Sequence, residues 1–85
     1  MKISENTDFV TKDTIPLDTL EFVVRVAVVA ECIRLVNQNR MITGVAVRLY
    51  NYKDEIIANG TVSLVTCLRF YKAHRQIVDD TIKSQ

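Results

Sequence analysis

The stretch from Leu20 to Leu68 carries most of the apolar residues and so decides what this chain can fold into. Its opening run alternates. Every even position from Leu20 through Phe22, Val24, Val26, Val28 and Ala30 to Cys32 is apolar, while the odd positions hold Glu21, Arg25 and Glu31 among Val23, Ala27 and Val29. Period-two alternation with valine enrichment predicts a β-strand. A buried helix is the competing reading for so long a run. The charges favour the strand: Glu21, Arg25, Glu31 and Arg34 scatter around a helix, but three of the four share one strand face. Arg34 has the wrong parity, which predicts a bulge between Glu31 and Arg34.

Asn37-Gln38-Asn39-Arg40 is a turn by composition. A second strand follows, with Met41, Thr43, Val45, Val47 and Leu49 on one face and Ile42, Gly44, Ala46, Arg48 and Tyr50 on the other. Gly44 within it predicts a bend or a close neighbour. Asn51-Tyr52-Lys53-Asp54 is the next turn. A third strand runs from about Glu55 to Leu68, with Asn59-Gly60 as a kink, a bulge or a tighter hairpin that would split it. The predicted fold is α+β: an antiparallel β-meander of three long strands over 18–68 and one C-terminal amphipathic helix over 70–84. That helix is read from the helical spacing of Phe70, Tyr71, His74, Ile77, Val78, Thr81 and Ile82.

At 85 residues the chain is one domain. Residues 1–14 form a flexible arm or a short edge strand with Phe9 and Val10 tucked in, and Pro16 suits a loop leading into a strand. The 11 basic and 10 acidic residues are scattered, giving a net charge of +1. That offers no electrostatic footprint for nucleic acid and no polybasic membrane patch. Glu21, Arg25 and Glu31 break the longest apolar run, so no membrane span is expected. The polar opening, Met1-Lys2-Ile3-Ser4-Glu5-Asn6, does not resemble a signal peptide, which predicts a cytoplasmic protein. Cys32 and Cys67 then read as small buried hydrophobes in a reducing compartment, and with one histidine, His74, no metal site is expected. His74 itself reads as a packed or hydrogen-bonded side chain, because spacing places no nucleophile or carboxylate beside it. Asn59-Gly60-Thr61 matches a glycosylation acceptor in form only.

Both faces of the first two strands carry valine, isoleucine or alanine, whereas an antiparallel sheet with one wet face should be polar there. Three strands and one helix cannot cover two such faces. This predicts a homo-oligomer, most simply a two-fold dimer whose sheets join or pack.

Five segments carry a resemblance: Asp18-Thr19-Leu20-Glu21-Phe22, the Val-rich run after it, Asn39-Arg40-Met41, Val45-Ala46-Val47-Arg48-Leu49-Tyr50-Asn51, and Glu55-Ile56-Ile57-Ala58-Asn59-Gly60-Thr61-Val62. Together, over roughly Phe9 to Val65, they are similar to the later strands of hot-dog-fold acyl-CoA thioesterases and their dehydratase relatives. Those families share a "G-D-x-L" lead into a long strand, although Leu17 stands here where they usually have glycine. The resemblance implies acyl-CoA chemistry at a dimer interface and, by analogy, Asp18, Asn39 and Arg40 near a CoA thioester. In those families an opening strand and a long central helix, with the catalytic carboxylate, come first; the sequence offers no counterpart. Glu31, Asp54 and Glu55 are the carboxylates available as a base, though strand and turn placement explains them more simply. Three functions stay open: an oligomeric, truncated thioesterase relative; a non-enzymatic interaction or assembly protein; and a subunit that completes a fold with another chain. No cofactor is expected in any of them.

Overall fold

Phe22–Asn37 form a helix, α1, where the alternation predicts a strand. The computed structural model describes residues 2–4 and 14–85, and the side chains of residues 14–56 and 59–85. The reason for the difference is burial. Val28, Val29, Ala30 and Cys32 are fully buried, with Val26, Ile33 and Leu35 nearly so, and these seven cover more than half the helix circumference. A helix buried on most sides loses its 3.6-residue stripe, so parity along the run carries no information about a sheet. Valine costs a helix no more than about 0.7 kcal/mol relative to alanine, against roughly 1.5–3 kcal/mol for burying its side chain. Packing therefore overrides propensity.

The charges fall into place on this helix. Val23, Ala27, Glu31 and Arg34 follow one another at spacings of three and four and form its one solvent-facing stripe. Glu31 and Arg34 are ion-paired across one turn, where the strand reading requires a bulge. Leu17–Thr19, a single 3-10 turn, leads in and buries Leu17. The guanidinium of Arg25 ties that turn down by donating to the carbonyls of Leu20 at 2.7 Å and Asp18 at 3.1 Å. At the other end Asn39 adopts φ 61°. Arg40 N–H reaches the Leu35 carbonyl and Asn39 N–H that of Val36, both within 3.1 Å. This double bond is the Schellman termination, with asparagine in the left-handed position that glycine usually fills. The turn read at 37–40 thus ends a helix.

Two long antiparallel strands follow, β2 (Gly44–Tyr50) and β3 (Ile56–Ser63). A three-residue strand, β1 (Lys2–Ser4), pairs antiparallel with β2, giving the order β1-β2-β3. On the other edge Ile15 N–H donates to the Thr61 carbonyl at 3.0 Å. Val45 pairs with Val62 and Val47 with Gly60, and all four are buried on the inner face. Arg48 and Asn59, paired on the outer face, are exposed, and Thr61 beside them is partly so. The sheet therefore has one wet, polar face, not two apolar ones. Asn59-Gly60 lies inside β3 and makes no turn. Asn51–Asp54 does: the Asn51 carboxamide oxygen accepts from Lys53 N–H at 2.8 Å and Glu55 N–H at 3.0 Å, and Asp54 takes φ 60°. An asparagine side chain organising the turn is the mechanism its composition implied.

The third strand stops at Ser63, not Leu68. The Ser63 hydroxyl accepts from Thr66 N–H at 3.2 Å and so caps α2 (Leu64–Ala73). The predicted single C-terminal helix is the end of α2 followed by α3 (Arg75–Lys83). His74, at φ −132° and ψ 39°, ends one and starts the other. The architecture is a small α+β domain in which α1 packs against β2, α2 and α3. Val28, Val29, Val45, Val47, Val62, Cys67 and Val78 anchor one core shared by sheet and helices. The three-stranded meander is thereby replaced: its first strand is the central helix, and its place at the sheet edge is taken by β1. The Cα radius of gyration, 12.1 Å, is close to the value of about 12 Å for a folded chain of this length.

Candidate functional site

The residues drawn from the thioesterase resemblance stand at two ends of the molecule. Asp18 is exposed in the turn before α1, and Asn39 and Arg40 are exposed just after its last residue. The 16 residues of α1 between them span about 24 Å. Asn39 and Arg40 are brought together; Asp18 is not brought to them. Of the carboxylates, Glu31 pairs with Arg34, and Asp54 and Glu55 are exposed at the β2–β3 turn. Among the described residues, no polar or charged side chain is buried, and no three His, Cys, Asp or Glu side chains converge as a metal site would need.

The densest side-chain chemistry lies at the junction of the three helices. Phe22, the first residue of α1, sits with its ring centroid 5.8 Å from Phe70 and 5.2 Å from His74. Phe70 and His74 are 4.4 Å apart. The edge-on and tilted geometries are those aromatic rings favour. The histidine is thus packed between two phenylalanines, as the packed reading of His74 anticipates, and it sits where α2 gives way to α3. Phe22 is nevertheless 44% exposed and its neighbour Val23 70%. Ile77, on the flank of α3 one turn beyond His74, is also exposed. A second exposed pair, Val65 and Leu68, lies on the outer side of α2 beside Arg69 and Lys72.

Polar contacts brace this junction. Tyr71 donates its hydroxyl to Asp79 at 2.8 Å, joining α2 to α3. The Arg75 guanidinium lies 5.5 Å from the Tyr71 ring. The bond to Asp79 pushes the phenol above its ordinary pKa, since ionisation would set two anions together. In the core, Cys32 of α1 and Cys67 of α2 are both free and buried, on helices that pack against each other. The influence of Cys67 holds Cys32 below the usual thiol range, while that of Cys32 together with burial pushes Cys67 above it.

Sequence reasoning missed the helix junction. Ser63 before Thr66 is the available signal for it, since a cap there moves the start of the helix to Leu64 and brings Cys67, Phe70 and His74 onto one face. Among the described residues, no helix is long and apolar enough to cross a membrane. Compared with protein-family models, curated proteins and solved structures, the chain matches none.

Proposed function

We propose that this chain is a non-enzymatic interaction domain that binds a second copy of itself through its helical side. The observation that carries the reading is the exposure of Phe22 where it packs on His74, with exposed Val23 next to it in the chain and exposed Ile77 one turn beyond His74. Aromatic residues are enriched at protein interfaces, and the exposed residues Phe22, Val23 and Ile77 are apolar. A net charge of +1 leaves little repulsion between two copies. A two-fold axis through the cluster sets Phe22 of one chain against the same patch of the next, the self-complementary arrangement that closes a dimer. The outer sheet face, with Arg48 and Asn59, stays in water.

The test is absolute mass by light scattering across a concentration series, for the native chain and for Val23→Asp. Val23 is 70% exposed, so the charge leaves the fold intact. Twice the chain mass for the native protein and one chain mass for the variant support the proposal. A native chain that stays monomeric at every concentration refutes it, as does a variant that dimerises equally well.

The acyl-thioester reading is the second one, and the order of elements favours it. A short strand, a long helix and then antiparallel strands is the order attributed to the hot-dog families, and β1, α1, β2 and β3 follow it. In this reading Asn39 and Arg40 contact the phosphates of a CoA thioester. A panel of acyl-CoAs tests it: hydrolysis or a CoA-dependent rise in Tm would support it, and neither would remove it.

A further inference from the structure

The outer side of α2 is apolar and basic. Val65, Leu68, Arg69 and Lys72 are all exposed, and at spacings of three and four they share one stripe of the helix, about 10 Å long. No acidic residue lies in α2. The β2–β3 turn is apolar and acidic. Tyr52 is 91% exposed and Ile56 56%, and Asp54 and Glu55 between them are exposed too. The turn's one cation, Lys53, lies over the Tyr52 ring at 5.8 Å. The Asn51 carboxamide donates to Glu55 at 3.4 Å. Among the described residues, Asp54, Glu55, Arg69 and Lys72 enter no ion pair. We propose that these two patches bind each other between copies of the chain: the turn 52–56 of one copy docks on the 65–72 stripe of the next.

Each patch offers what the other lacks. Tyr52 and Ile56 cover Val65 and Leu68, taking four exposed apolar side chains out of water. Asp54 and Glu55 meet Arg69 and Lys72, and opposite potentials fix the register while like-charged pairings are rejected. Within one chain the turn and the start of α2 stand apart. They lie at the two ends of β3, which spans about 24 Å from Ile56 to Ser63. The contact joins two different surfaces, so each copy keeps a turn or a stripe to offer to a further copy, and the assembly grows. It is small, and its charges are exposed, so it is weak and salt screens it. It shares no residue with the Phe22 patch and does not rest on that reading.

The experiment measures mean mass by light scattering in high and in low salt, with Val23→Asp as the parent so that the Phe22 patch does not contribute. In low salt the mass should climb with concentration to at least twice its high-salt value. Arg69→Glu and Glu55→Lys each alter an exposed side chain. Added singly to the parent, each should abolish that gain. An equal mixture of the two should recover it, because one variant keeps an intact turn and the other an intact stripe. A carbodiimide, which joins carboxylates to amines, should link Asp54 or Glu55 to Lys72 between isotopically distinct copies. A parent with no low-salt gain overturns the proposal, as do charge variants that associate as well as the parent or a mixture that recovers nothing. A chain that gains no mass in low salt but floats with phosphatidylserine vesicles through Arg69 also overturns it, and gives the stripe to a lipid surface. The high-salt mass judges the Phe22 patch and the low-salt gain judges this contact, so either can fail alone.

Discussion

Val23 and Val29 separate the helical and extended forms of the central run with the sign of a stability change. Both are odd-numbered, so a strand puts them on one face and gives them similar surroundings. In α1 they differ sharply: Val23 is 70% exposed and Val29 fully buried. Truncating Val29 to alanine removes two methyl groups, a transfer loss of about 1.6 kcal/mol at about 0.8 kcal/mol each. A residual void of about 40 Å³ adds about 1 kcal/mol at 24 cal/mol per Å³. Alanine's better helix propensity returns about 0.5 kcal/mol. The net loss is about 2 kcal/mol, or a fall in Tm on the order of 10 °C. Val23→Ala loses almost no buried area and keeps the propensity term, so it should leave stability unchanged or raise it by about 0.5 kcal/mol. Urea unfolding followed by circular dichroism at 222 nm measures both. Equal losses at the two positions would refute the helix, because only a strand gives them one environment.

Three further substitutions test the devices that shape the elements. Ser63→Ala should cost about 1 kcal/mol by removing the cap of α2, and the same melts detect it. Asn39→Ala should cost about 1 kcal/mol at its positive φ while Asn39→Gly is neutral or better, a contrast that a hydrogen-bond role for the side chain would reverse. Gly44→Ala should cost about 1–3 kcal/mol, because a Cβ there would lie 2.7 Å from the Val62 carbonyl oxygen and 2.9 Å from the Thr61 methyl, so β3 has to shift; chemical-shift changes confined to β2 and β3 would locate the strain.

The two polar turns and both long strands could be read from the chain because each depends on local chemistry. Asn51 organises its turn through its own side chain, and the alternation of Val45 and Val47 with Ala46 and Arg48 reports a sheet that is wet on one face. Of the two readings of Gly44, a bend or a close neighbour, the structure shows the close neighbour. The run 20–32 reads as a strand, and folds as a helix, for a physical reason. A central helix packed against strand and helices carries valine on several sides, and its sequence cannot say which neighbour each valine meets. A strand at the start demands two covered faces, whereas a central helix covers one face of the sheet and leaves the other polar.

The helix junction shows why a site of this kind is harder to read than a turn. Under the strand reading, Phe22 stands near the start of a first strand, on its even face. The change from strand to helix does more than relabel residues, because Phe22 reaches Phe70 and His74 only as the first residue of α1. The proposed Phe22 interface therefore stands on the helical state of one segment, and the Val23 and Val29 pair tests that state before the interface is attempted.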